Sequence, residues 1–277
     1  MNKLLLYLVA TPLGNLGDIS KRAIDTLAMV DFIVAEDTRK SIKLLNHFNI
    51  KKPLISYYEH NKRERGEEIV KKLLDGQTCA LITDAGMPAI SDPGQDLVAL
   101  CIEKDIPYTV IPGPCAAVCA LAVSGLPTGR FCFEGFLSIS KKSRNEHLNA
   151  IKNEQRTLIF YEAPHKIKNT LKDLLSVLGD RKITIVRELT KIYEEILPIT
   201  LKQAIEIYNE KEPKGEFVLV IEGAKEVLEQ KPTEQNIKEL FEKLTKEGAP
   251  KSQAIKEIAS NLGLRKNEVY SLIINKE

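Results

Sequence analysis

Residues 83–94, TDAGMPAISDPG, place two glycines, two prolines and two aspartates directly behind the apolar run CALI. The stretch contains no lysine and no arginine. A phosphate chain is bound by glycine-presented amides together with a lysine, as in GxxxxGK[ST], so this loop is ill suited to a nucleoside triphosphate. Its polar side chains, Asp84, Ser91 and Asp92, suit a ribose diol, an ammonium or another cationic group. The spacing also predicts a helix start, with Asp92 as N-cap, Pro93 in the first helical position and Gln95 closing a capping box. The loop therefore either receives a ligand or simply joins strand to helix.

Two further loops share its character. Residues 9–18, VATPLGNLGD, follow an apolar run but contain no GxGxxG, which leaves a nicotinamide cofactor without support. Residues 110–117, VIPGPCAA, flank Gly113 with two prolines and leave room beside it at Cys115, Ala116 and Ala117. In AEDTRKS, Asp37 and Arg39 stand where they could bind substrate or cap the next helix. Glu162 and His165 in FYEAPH, and Arg187, Glu188 and Lys191 in IVRELTKIYEE, follow apolar runs and could serve as acid, base or clamp. The four histidines, His47, His60, His147 and His165, show no ligand spacing, so no metal is predicted. GxSxG is absent, and Ser124 follows a helical rather than a strand pattern, which argues against a serine nucleophile.

These loops need a frame. Up to Ile111, short apolar runs (LLLYLVA, FIVAE, LISY, CALIT, YTVIP) alternate with amphipathic stretches, the pattern of a mainly parallel sheet faced by helices. A second block carries the strand-like runs RFCFEGF, TLIFYEA, ITIVREL and EFVLVIEG, with HKIKNTLKDLLSVLG and LKQAIEIYNE as helices, and a mixed strand order is expected. The tail has three helical patterns broken at Gly248-Ala-Pro and Leu262-Gly-Leu; the last two have helix-turn-helix spacing, with Lys266 or Asn267 as N-cap. The fold class is α/β: two α/β domains, residues 1–114 and 115–228, plus a small helical module, residues 229–277.

With 277 residues, 43% apolar and 28% charged, the chain has the composition of an ordinary globular protein, and a net charge of +2 does not by itself mark a nucleic-acid binder. Five cysteines without a CxxC pair read as reduced thiols of a cytoplasmic protein. No run approaches the roughly 18 apolar residues that cross a bilayer, and KLLLYLVA lacks a cleavage site, so it is assigned to the first strand.

Taken together, VATPLGNLGDIS, AEDTR, TDAGMPAISDPG, IPGPCAA, SGLPTGRFCFEGFL, YEAPHK, RELTK with YEE, and KGEFVLVIEG resemble, in order over nearly all of residues 4–224, the tetrapyrrole methylase family of S-adenosylmethionine enzymes. Within it they are most similar to the branch that methylates the ribose 2'-hydroxyl of a cytidine in the decoding region of 16S ribosomal RNA. TPLGN in place of GxGPGD, and GMP in place of GDP, separate the chain from the tetrapyrrole-modifying branch. The resemblance implies a homodimer without metal, with S-adenosylmethionine in the cleft between two α/β domains. By position it implies cofactor contacts at Pro12, at Ala85, Gly86, Met87 and Ile90, at Cys115 and Ala116, and at Glu162 and Leu189, with Asp84 beside them. Lys166 and Ser138 depart from the branch, which usually has arginine and proline there.

Methyl transfer from a sulfonium to a ribose hydroxyl requires alignment and removal of one proton. Lys191 and Glu188 are the candidates for the proton, Lys191 if burial beside Arg187 and the sulfonium lowers its pKa. Asp37 and Arg39 are candidates for orienting the RNA of the small ribosomal subunit, and Lys141, Lys142 and Arg144, with Lys62, Arg63 and Arg65, for holding its phosphates. Two other readings stand beside this one: a methylase of a corrin or porphyrin precursor, and a non-catalytic nucleic-acid-binding protein acting through the helix-turn-helix.

Overall fold

The structure is a computed structural model that describes residues 5–225, 234–262 and 264–274. The expected domain boundary at 228/229 and the helix break at Gly263 lie outside the described residues. The chain divides into two compact units, residues 1–224 and 225–277.

The larger unit holds two five-stranded sheets. In the first, β1 (Leu6–Val9), β2 (Phe32–Ala35), β3 (Leu54–Ser56), β4 (Cys79–Ile82) and β5 (Tyr108–Ile111) lie in the order β3-β2-β4-β1-β5, every pair parallel. Strands β2 and β4 are buried at every position, which explains why FIVA and CALI are uninterrupted apolar runs. Helices α1 (Lys21–Met29), α2 (Thr38–His47), α3 (Lys62–Leu74) and α4 (Gly94–Glu103) connect these strands. Two apolar layers result, one around Leu6, Phe32, Ile69 and Leu97 and the other around Val9, Leu27, Ile33 and Ile82.

Helix α5 (Ala116–Val123) leads into the second sheet and packs Ala117, Ala120 and Leu121 on one of its faces, against Ile159, Val186 and Val218. That sheet comprises β6 (Phe131–Phe136), β7 (Thr157–Glu162), β8 (Lys182–Arg187), β9 (Glu195–Thr200) and β10 (Phe217–Ile221), ordered β6-β7-β10-β8-β9. Only β6 and β7 run parallel, so the sheet is mixed. The other face is covered by α6 (Lys141–Ala150), α7 (Ile167–Leu178) and α8 (Leu201–Glu210) around Phe160, Leu171 and Leu219. The smaller unit is a three-helix cluster, α9 (Glu234–Lys246), α10 (Lys251–Asn261) and α11 (Lys266–Ile274), closed over Ile237, Ile258 and Val269.

One local expectation is refined, one is corrected, and two elements are added. Asp92 serves the start of α4 as expected, accepting from Gly94 N at 2.8 Å just past Pro93, and it also accepts from Ala89 N at 3.0 Å; the regular helix begins at Gly94, and among the described residues no bond from Gln95 closes a capping box. The Asp92 carboxylate thus closes the loop on itself as well as serving the helix end. Helix α11 starts at Lys266, so neither Lys266 nor Asn267 is its cap; Glu268 reaches back to Arg265 N at 3.0 Å. Strand β9 and helix α6 are additions to the sequence pattern.

Candidate active site

Three loops meet at the carboxyl ends of β1, β4 and β5. Thr11 and Gly86 form an isolated antiparallel bridge, Thr11 N donating to Gly86 O at 2.9 Å and Gly86 N to Thr11 O at 3.0 Å. Thr11, fully buried, also donates through Oγ1 to Thr83 O at 3.1 Å. Gly86 has φ +83°, and a Cβ there would stand 3.0 Å from Leu13 Cδ2 and 3.5 Å from Pro114 O, so this one residue touches the first and third loops at once. Gly113 lies equally close to the first loop, since a Cβ on it would meet Ala10 Cβ at 2.8 Å. The clustered glycines and prolines serve mutual approach of backbones rather than flexibility.

Above these loops opens a cavity of about 550 Å³, a size ordinary for cofactor sites. From the first sheet it is lined by Asp84, Ala85, Gly86, Met87 and Ile90, and at the junction by Cys115 and Ala116. Glu162 and Leu189 line it from the second sheet, together with Phe136, Tyr161 and Val218. Of the residues expected around the cofactor, only Pro12 lies elsewhere, in an adjoining cavity of about 290 Å³. Leu13, Lys40 and Asp84 border both cavities.

The larger cavity is acidic. Among the described residues, Glu36, Asp84, Asp92, Glu162 and Glu216 line it, with Lys40 as its one lysine and no arginine. Lys40 Nζ donates to Asp84 Oδ2 at 2.6 Å, and Asp37 N donates to Asp84 Oδ1 at 3.2 Å. Desolvation of its partly covered carboxyl, and then the charge of Asp84, push Glu36 above its ordinary value although the residue as a whole is exposed, against a bond from Thr83 Oγ1 at 3.1 Å. Glu162 is 3% exposed; Ala163 N donates to its Oε1 at 2.8 Å and the Thr170 hydroxyl to its Oε2. Tyr161 OH accepts from Ala117 N at 3.1 Å, tying β7 to the start of α5. Among the described residues no group of three or more His, Cys, Asp or Glu is placed to hold a metal ion.

Asp37 is the N-cap of α2, and its carboxylate accepts from Arg39 N, Nε and Nη2 at 2.9, 3.1 and 2.9 Å. The Arg39 side chain bonded to it holds the Asp37 carboxyl at about 2, and Arg39 itself points into solvent. Lys141 and Lys142 are exposed on α6, whereas Arg144 is turned inward and paired with Asp173 at 2.6 Å. In the other basic stretch Lys62 bridges Glu59 and Asp96 and Arg65 pairs with Glu68, so much of its charge is already answered.

The protein's own groups do not lower the Lys191 pKa. Burial does push it down, but hydrogen bonds to Glu188 Oε1 at 2.9 Å and Glu216 Oε2 at 3.0 Å outweigh that and raise it. Arg187, the anticipated like-charged neighbour, is turned to Glu195 at 2.9 Å. Glu188 has φ +53°, and its carboxylate also accepts from Glu216 N at 2.9 Å. Burial raises the Glu188 carboxyl; the Lys191 hydrogen bond, then Glu216 N, override it and hold the group below its ordinary value. The stem of Lys191 lies on Gly14, where a Cβ would meet Lys191 Cγ at 2.3 Å, so the lysine lies across the first loop.

Two facing α/β halves with a loop-lined cavity between them define a class, and residues 5–205 match the model of that class, the tetrapyrrole (corrin/porphyrin) methylases: the chain belongs to this family. It is 48% identical over 276 residues, 99% of this chain and 98% of the relative, to "Ribosomal RNA small subunit methyltransferase I" of Synechocystis sp.. A protein of the same name from Halalkalibacterium halodurans is 48% identical over 96% of this chain and 93% of its own. Among solved structures, uroporphyrin-III C-methyltransferase of Thermus thermophilus complexed with S-adenosylhomocysteine superposes with a TM-score of 0.57 at 16% identity, over 79% of this chain and 97% of that one, and shares the fold.

Proposed function

We propose that the chain methylates the ribose 2'-hydroxyl of a cytidine in 16S ribosomal RNA of the small subunit, with S-adenosylmethionine as methyl donor. The acidic cavity is the observation that carries this reading: five carboxylates and one lysine suit a ligand bearing a sulfonium and an ammonium, and oppose a polyphosphate. The substrate class rests on the two relatives that match nearly the whole chain. Asp84, Glu162 and the backbone around Ala85–Met87 would hold the donor, while Leu189 and Ile90 would cover its apolar parts.

When bound, the donor supplies an electrophilic methyl group, and its sulfur takes the electron pair of the broken bond as a thioether. The protein's task is to align the hydroxyl, worth about 7 kcal/mol or more for well-held reactants, and to remove its proton. Lys191 and Glu188 remain the candidates, divided by charge. Lys191, held protonated by two carboxylates, orients the pair, and Glu188, kept anionic, receives the proton. Arg39, aimed outward by Asp37, and Lys141 and Lys142 would contact RNA phosphates. Tyr108 and Val110 on edge strand β5 are 42% and 48% exposed, apolar surface available to a second copy in a homodimer.

The test is incubation with labelled S-adenosylmethionine and small subunits from cells lacking the protein, followed by mapping of the label. Label on a cytidine 2'-oxygen supports the reading; label on a base, or none, overturns it.

A further inference from the structure

Between α6 and α7, apart from the acidic cavity, lies a recess of about 520 Å³ lined by Lys141, Arg144, Lys166 and Lys172 and by one carboxylate, Asp173. That carboxylate is already engaged, since Arg144 Nε donates to Asp173 Oδ2 at 2.6 Å. Lys141 and Lys172 are exposed and Lys166 is half-buried, and no ion pair joins any of the three to a described carboxylate. Three unanswered ammonium groups around a concave surface raise the local concentration of an anion, and a nucleic-acid backbone is the anion the proposed substrate presents.

Arg144 differs from the lysines in kind. Its side chain is only 11% exposed, and Nη2 donates to Thr170 Oγ1 at 2.8 Å. Thr170 is fully buried and has one hydroxyl proton. Because the oxygen accepts from Arg144, the proton is left for Glu162, to which Thr170 donates. A threonine within a helix can otherwise turn its hydroxyl to the carbonyl one turn back. The guanidinium therefore selects the rotamer that holds a carboxylate lining the acidic cavity.

We propose that the recess seats a backbone phosphate of the RNA on Lys141, Lys166 and Lys172, and that Arg144 is instead a positioning residue, holding Glu162 through Thr170 for the methyl donor. The inference rests on the RNA-methyltransferase reading and divides one basic cluster into two jobs that separate experimentally. With Lys141→Ala and Lys172→Ala combined, affinity for small subunits falls about tenfold. The slope of log affinity against log salt shrinks by about 0.7–0.9 for each phosphate that is no longer neutralised. S-adenosylmethionine affinity, from calorimetry, stays at the wild-type value. Arg144→Lys, which keeps the charge but loses the fork, and Thr170→Val each weaken S-adenosylmethionine about tenfold with the salt slope intact, and Thr170→Ser restores binding.

Wild-type cofactor affinity in both Arg144→Lys and Thr170→Val, or an unchanged salt slope in the double lysine variant, overturns the proposal while leaving methylation by the wild-type protein untouched. Absence of cofactor binding by the wild-type protein itself removes the functional reading and this inference together.

Discussion

Thr11 and Gly86 exchange both backbone hydrogen bonds, 2.9 and 3.0 Å long, and so zip the loop after β1 to the loop after β4 beneath the acidic cavity. Gly86 can do this only at φ +83°, with Leu13 and Pro114 O closing the space a side chain would need. Gly86→Ala is expected to cost about 1–3 kcal/mol through backbone strain alone. Because Leu13, which would be displaced, belongs to the cavity wall, S-adenosylmethionine affinity should fall at least tenfold, measured by calorimetry beside a thermal melt. Wild-type affinity in the variant would detach this bridge from the ligand site.

Glu188→Gln should lower the single-turnover methylation rate by about a hundredfold or more, with cofactor affinity retained. Lys191→Met removes the cation that orders Glu188 and should slow the step as well. Near-normal rates in both variants would take the pair out of the chemistry. The wild-type rate should be flat through neutral pH as far as Glu188 governs it, since that carboxyl ionises below its ordinary 4.5.

The same pair sets a pH window for stability. Glu188 is depressed in the folded state, so its contribution is present above its unfolded pKa and is lost as pH falls through the folded value. Lys191 is raised, so its contribution is complete below the unfolded value near 10.5 and is lost as pH rises through the folded one. Unfolding midpoints of the wild type and of Lys191→Met should therefore converge at both extremes and differ most near neutrality.

Glu36 has the opposite sign. Its carboxyl is raised by burial and by Asp84, so charging it as pH rises works against the fold. Glu36→Gln keeps an acceptor for Thr83; because the residue is exposed, solvent screens most of the effect, so the melting temperature should rise only slightly at neutral pH, with the gain disappearing in acid. A lower melting temperature at neutral pH would contradict the assignment.

A chain ended after Ala224 retains the whole of the larger compact unit. It should bind S-adenosylmethionine as the full chain does and lose about tenfold in affinity for small subunits, measured by sedimentation. Unchanged subunit affinity would relieve the helical module of a binding role.

The strands and loops were readable from the sequence where a single physical demand wrote them. β2 and β4 are buried on both faces, and the resulting apolar runs say so without ambiguity. Gly86 and Gly113 stand where backbones touch, and the sequence marks them with neighbouring prolines. Strand β9 was hidden because it pairs on one side only and carries Pro198, which an edge tolerates. Helix α6 buries one residue, Leu148, and so shows little period. The electrostatics of the site were the least legible part. Lys40 reaches Asp84 across 44 residues and Glu216 reaches Lys191 across 25, pairings that no local stretch of sequence displays.

The middle of the second sheet is occupied by its last strand in chain order. β10 pairs antiparallel with β7 on one side and β8 on the other, and all five of its residues are buried. During synthesis, β7 and β8 therefore emerge well before the ribbon that joins them, and this half can close only once Ile221 has left the exit tunnel. A nascent chain stalled earlier would present β7 and β8 each with one unpaired apolar edge, a state that invites aggregation and calls for a chaperone.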